Sequence, residues 1–198
     1  FVFFEKFLSS LLDNLGNYSI DIIFSSSAGG LYEGSENVGI ESPFSIKRPY
    51  GVLKKRQEDY LLSCNALSRV SIVRLPSVYG YIDSNIRSGL IPVMISNALL
   101  KKSTRMTGNI HTLRDYVWVN DVAEFIINDI FSDTNRVYIL SSCKPSSIFE
   151  IKISVERVIR RKVFFEIDSH FVNDKNITFM PYLPKSIWAP ISTSEGIA

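Results

Sequence analysis

The stretch Arg48-Pro49-Tyr50-Gly51-Val52-Leu53-Lys54 opens an amphipathic run, and its reading decides the rest of the chain. Tyr50 and Lys54 stand four apart, so on a helix both project from one face. A phenol and an ammonium are thereby brought together. A free phenol titrates near pH 10, and making it a base near neutrality takes about 4 kcal/mol. One cation at about 4 Å, at an effective dielectric near 20, supplies about that much. The pair alone also fits an ordinary surface helix, so the flanking sequence has to decide.

Upstream lies Asp21-Ile22-Ile23-Phe24-Ser25-Ser26-Ser27-Ala28-Gly29-Gly30-Leu31-Tyr32, an apolar strand opening into small and hydroxyl residues. Open α/β sheets place their chemistry outside such carboxyl ends. Downstream, Val73-Arg74-Leu75-Pro76-Ser77-Val78-Tyr79-Gly80 is a second strand running into a turn. Later comes Leu113-Arg114-Asp115-Tyr116-Val117-Trp118-Val119-Asn120-Asp121, and the chain closes on Trp188-Ala189-Pro190-Ile191-Ser192-Thr193-Ser194-Glu195-Gly196.

In this order the segments resemble the landmarks of the extended short-chain dehydrogenase/reductase family, in its NAD-dependent nucleotide-sugar epimerase and dehydratase branch (UDP-glucose 4-epimerase-like). Those landmarks are a serine-rich strand end, P-Y-G-x-S-K followed by a glutamate, R-x-x-N-V-Y-G, R-D-(Y/F)-(V/I)-x-V-x-D and a terminal W-x-P. The resemblance spans nearly the whole chain. It implies an α/β fold, the later part of a Rossmann-type doubly wound parallel sheet with a small α/β substrate-binding lobe. Residues 1–80 and 114–140 would belong to the cofactor domain, and residues 81–113 and 141–198 to the lobe. The family's Gly-rich phosphate turn is absent from the ten glycines. The resemblance would put it upstream of Phe1, in a further segment of roughly 100 residues at about 30 per βαβ unit. The chain taken alone is therefore expected to be inactive.

The resemblance also assigns roles. Tyr50 exchanges a proton with a sugar hydroxyl, and Lys54 supports it and holds the nicotinamide ribose of NAD. The hydroxyl that shares this sugar oxygen falls on Ala28 when counted back from Tyr32. Counted from the strand it falls on Ser27, with Ser26 next, and Ser27 is preferred. Pro76 passes the nicotinamide. Ser77 stands where the family has an asparagine at the substrate diphosphate, and Arg114 offers a fork of donors to the same group. Arg114 could equally pair with Asp115 or Asp121. Glu58 matches a family glutamate and reads as structural. Ala28-Gly29 replaces the acidic pair with which dehydratases expel water, so epimerisation or keto reduction is favoured over elimination. A nucleotide-sugar reductase or dehydratase, or a non-catalytic dinucleotide-binding member, is the alternative. The family's homodimers suggest pairing through residues 3–16 and 50–66.

Bulk properties agree with a globular enzyme. The 198 residues are 45% hydrophobic and 21% charged, with a formal charge of +2, too small to argue for nucleic acid or a membrane surface. Cys64 and Cys143 form no C-x-x-C pair and read as free thiols. His111 and His170 lack metal-ligand spacing. No apolar stretch reaches the 18 or so residues of a membrane span, and no signal peptide is evident, so the expected setting is cytoplasmic.

Element by element, the periodicity predicts a helix over 3–16 with Phe4, Phe7, Leu8, Leu11, Leu12 and Leu15 repeating. Strand 20–27 is followed by a loop through Pro43. A helix from Tyr50 to Ala66 should bury Leu53, Gln57, Tyr60, Leu61 and Cys64. Strand 70–75 precedes a helix over 91–100 and short strands over 104–107 and 115–119. Asn120 or Asp121 should cap a helix running to Phe131 with Val122, Phe125, Ile126 and Ile130 inward. A strand over 136–140 follows. Ser147-Ile148-Phe149-Glu150 reads as a capping box opening a helix to about Arg161, ahead of a strand over 163–167.

Overall fold

Asp21–Ser27 (β1) and Arg69–Leu75 (β2) pair in parallel in the computed structural model, in register from Asp21 with Arg69 to Ser27 with Leu75. The structure describes residues 1–16, 18, 20–80, 89–128, 137–168 and 175–198. Parallel neighbours need a crossover, and here it contains two helices, the short α2 (Ala28–Leu31) and α3 (Pro49–Ser63). Ahead of them lies α1 (Val2–Leu15). Val137–Ile139 (β7, numbered in chain order) joins β2 on its other edge, also in parallel, giving the order β1-β2-β7.

Alternation along the strands then builds two faces. Ile22, Phe24, Val70 and Ile72 meet Leu8 of α1 and Leu61 of α3 on one side. Val73 and Tyr138 meet Val122 and Phe125 of α5 (Val119–Asn128) on the other, with Leu183, Ile187 and Trp188 added from the C-terminal stretch. Helices therefore cover both faces of a parallel sheet, the doubly wound arrangement.

A second core gathers the remaining elements. Strand β3 (Ser77–Tyr79) pairs in parallel with β6 (Tyr116–Trp118). Strand β4 (Thr104–Thr107) does the same with β9 (Phe165–Asp168), and β5 (Leu113–Arg114) runs antiparallel to β8 (Ser146–Ser147). Helices α4 (Leu90–Leu99), α6 (Ile148–Ile159) and α7 (Thr193–Ile197) pack Ile91, Met94, Ile151, Val155 and Ile197 around Tyr79 and Tyr116. Ser147 and Glu150 form the reciprocal capping box at the start of α6. A second box, Ser192 with Glu195, opens α7 and was not read from the sequence.

Four details differ from the sequence reading. Phe7 lies outward at 58% exposed, because α1 packs through Phe4, Leu8, Leu11 and Leu12 alone. In α3 the fully buried positions are Gly51, Glu58 and Leu61, while Leu53, Gln57, Tyr60 and Cys64 are only half-buried. Helix α5 begins at Val119, so neither Asn120 nor Asp121 caps it, and the Asp121 carboxylate instead accepts from the Ile191 amide at 3.0 Å. The loop after Ser27 contains the unforeseen turn of helix α2. Ile130, Phe131, Arg136 and His170 lie outside the described residues. Among the described residues, no helix is long and apolar enough to cross a membrane.

Candidate active site

The carboxyl end of β1 is built from three consecutive serines that do three different things. The Ser25 carbonyl accepts from Lys54 Nζ at 2.8 Å. Ser26 shares the sheet face of Arg74, its register partner, and is buried there with a hydroxyl that has no partner among the described residues. Ser27 ends the strand and is the N-cap of α2, its Oγ accepting from the Gly30 amide at 3.1 Å. Of the two serines proposed from sequence, Ser27 stands at the sheet edge and Ser26 points into the sheet–helix interior.

Pro49 starts α3 at a position where its missing N–H costs nothing, and extended Arg48 precedes it. Tyr50 follows in the first turn and is 54% exposed. Its ring lies against Gly30, where an added Cβ would come within 3.1 Å. Lys54, one turn on, lays its ammonium over the Phe24 ring at 4.7 Å. Burial pushes the lysine pKa down, and the charge of Glu58 opposes this. Tyr50, Lys54 and Ser27 thus all meet the carboxyl end of β1 or the turn after it, Tyr50 against Gly30, Ser27 on the Gly30 amide and Lys54 on the Ser25 carbonyl. Among the described residues, none of the three side chains hydrogen-bonds another.

Glu58 completes the Tyr50-Lys54-Glu58 stripe and is 1% exposed. Its carboxylate is gripped by Arg74, with Nη2 to Oε2 at 2.7 Å and Nε to both oxygens at 3.2 Å. In the sequence the pair shows only as a third residue at four-residue spacing and a charge inside the apolar run of β2, with nothing that links the two.

Pro76 is half-buried at the junction of β2 and β3, and Ser77 begins β3, its amide bonded to the Asp115 carbonyl at 3.0 Å. Ser77 and Arg114 line one cavity of about 320 Å3, together with Tyr79, Thr107, Asn109 and Thr112. That volume lies at the small end of ligand pockets. Thr112 is buried at this cavity with a hydroxyl lacking a partner among the described residues. Arg114 pairs with neither Asp115 nor Asp121. Its guanidinium donates to the carbonyls of Leu113 at 2.8 Å and Lys175 at 2.7 Å. Asp115 instead accepts from the Ser142 amide at 2.7 Å. A larger cavity, about 390 Å3, lies past β7 between Ile139, Cys143, Met180, Tyr182 and Trp188, and contains none of the residues proposed from sequence.

Residues 8–137 match the model of the NAD dependent epimerase/dehydratase family. The chain belongs to that family. A Methanocaldococcus jannaschii protein bearing the name of a UDP-glucose 4-epimerase is 31% identical over 148 residues, which is 72% of this chain and 48% of that one. MoeE5, solved with UDP-glucuronic acid and NAD, superposes with a TM-score of 0.76 at 20% identity over 90% of this chain and 62% of its own. The Thermus thermophilus UDP-glucose 4-epimerase, solved with NAD, gives 0.75 at 20% identity over 90% and 61%. At such identities the two structures establish the Rossmann-type fold of the family. The chain spans about half the length of its curated relative and about three-fifths of the solved chains.

Proposed function

We infer that the chain carries the acid–base and substrate-binding part of an NAD-dependent nucleotide-sugar epimerase. The observation that carries this is the convergence of Tyr50, Lys54 and Ser27 at the carboxyl edge of β1. An exposed phenol, a half-buried ammonium and a helix-capping serine form a donor set that fits the nicotinamide end of a dinucleotide, with Pro76 beside it. NAD, when bound, supplies hydride exchange with a sugar carbon. Tyr50 takes the proton from the sugar hydroxyl as that carbon is oxidised, and returns it after the keto sugar has turned over. Lys54 stabilises the phenolate electrostatically. Ser27 hydrogen-bonds the same oxygen. The cavity at Ser77 and Arg114 receives the nucleotide diphosphate, with residues 81–113 and 141–198 acting as the substrate lobe. Ala28-Gly29 offers no carboxyl to protonate a departing hydroxyl, which supports epimerisation over dehydration.

The test uses the full-length protein with NAD and either UDP-glucose or UDP-glucuronic acid, and follows the epimer by chromatography. Wild type should form the epimer. Tyr50→Phe should reduce turnover about 100-fold or more while leaving nucleotide-sugar binding intact, because only the phenolic oxygen is lost. Tight nucleotide-sugar binding without any turnover by wild type would favour the non-catalytic reading instead.

A further inference from the structure

The guanidinium of Arg74 does more than neutralise Glu58. Its remaining arm, Nη1, donates to the Tyr32 hydroxyl at 2.9 Å, and its plane lies 4.8 Å from the centre of the Phe44 ring. Tyr32 is fully buried, and its own ring stacks near Phe44 at 5.5 Å. Each partner leads back to the site by a short rigid path. Glu58 sits one turn beyond Lys54 and two beyond Tyr50 on the same stripe of α3. Tyr32 closes α2, its amide bonded to the Ala28 carbonyl at 3.0 Å, and the N-cap at the other end of that one-turn helix is Ser27. One planar group on the middle strand thus spans the helix that carries Tyr50 and Lys54 and the elbow that carries Ser27.

Stability alone is a weak account of such a group. Replacing a buried ion pair by apolar side chains of similar volume is commonly neutral or stabilising, because the desolvation of both charges is avoided. A planar fork with directional donors does offer a fixed angle and separation, which apolar packing does not. We propose that Arg74, held between Glu58 and Tyr32, is a positioning residue that sets the separation of Ser27 from Tyr50 and Lys54. This rests on the assignment of those three as the acid–base set.

Two variants test it. Tyr32→Phe removes only the oxygen that accepts from Arg74, and Glu58→Met/Arg74→Met replaces the ion pair by apolar bulk. The first readout is amide hydrogen exchange at Gly30, whose N–H is held by Ser27 Oγ, with Ile72 in the core of β2 as the internal control. Exchange at Gly30 should quicken at least tenfold in both variants while Ile72 stays protected as in wild type. The second readout is turnover, where kcat should fall at least tenfold with KM within twofold. Wild-type exchange at Gly30 together with wild-type kcat in the double variant would overturn the proposal and leave the network a stabilising one. If Ile72 loses protection in the double variant, the outcome is decided by Tyr32→Phe, which keeps the ion pair. A wild type without turnover would sink the epimerase reading, while the exchange at Gly30 would still decide the positioning role.

Discussion

A Cβ on Gly51 would overlap the carbonyl oxygen of Gly30, so α2 and α3 touch main chain to main chain beside Tyr50. Alanine at position 51 would gain about 1 kcal/mol of helix propensity. Overpacking against a backbone atom that cannot rotate away costs about 1–3 kcal/mol, and more where nothing yields. Gly51→Ala is therefore expected to lower the unfolding midpoint and displace Tyr50. Gly29→Ala is the control, because the nearest atom to its added Cβ is Ser27 Oγ at 4.0 Å. It should be neutral or slightly stabilising. Equal melting temperatures for the two variants would contradict this geometry.

Asp115 gives a pH dependence with a definite sign. Burial pushes its pKa from 3.8 to about 6, against the opposing pull of the Ser142, Cys143 and Lys144 amides. The folded state then holds the proton more tightly than the unfolded chain. Its contribution is fully present below pH 3.8 and is lost as pH rises through about 6, at most about 3 kcal/mol in all. Glu150 and Glu156 are held below the usual carboxylate range and act with the opposite sign, at lower pH. Asp115→Asn keeps an acceptor for the Ser142 amide and carries no charge. Urea unfolding at pH 5 and pH 7.5 should show a smaller difference for the variant than for wild type, and greater stability for the variant at pH 7.5. An unchanged pH slope would place the titration elsewhere.

Arg114 is expected to grip the substrate diphosphate with a fork that lysine lacks. Arg114→Lys should weaken UDP-glucose binding about tenfold, or about 1.4 kcal/mol, by calorimetry. Unaltered affinity would mean that the side chain serves only to pin the Leu113 and Lys175 carbonyls.

The outer faces of α1 and α3 carry apolar groups without cover. Phe3 and Phe7 are 84% and 58% exposed on neighbouring turns of α1, and Val52 and Leu62 are exposed on α3. These surfaces fit the homodimer suggested by the family resemblance. Sedimentation should show a dimer at micromolar concentration, converted to monomer by Phe7→Glu. A wild type that stays monomeric at high micromolar concentration would remove this expectation.

The sheet strands and the longer helices were legible because each is a continuous run with one period, as in Ile22 to Phe24 or Leu8 to Leu12. The Y-x-x-x-K stripe was legible because helical spacing alone puts Tyr50 and Lys54 together. Glu58 read as structural, but its partner did not follow from sequence, since Arg74 lies 16 residues away on another element. Helix α2 was hidden by its two glycines, which score as loop, although Ser27 supplies the cap that starts it. Asp121 misled for a related reason. Its carboxylate serves a distant amide at Ile191, and local patterns cannot reveal a partner 70 residues away.

The cap at Ser27 leaves its hydroxyl hydrogen free to be donated. With one lone pair of Oγ engaged by the Gly30 N–H, the hydroxyl keeps its hydrogen, so under the proposed assignment it can donate to a sugar oxygen while still capping α2. Threonine would preserve both functions, and alanine would lose both. Aspartate separates them, since it caps a helix as well as serine does yet can only accept. Ser27→Asp would therefore leave the turn intact while removing the donor, and under the proposed assignment turnover should fall although the fold is kept.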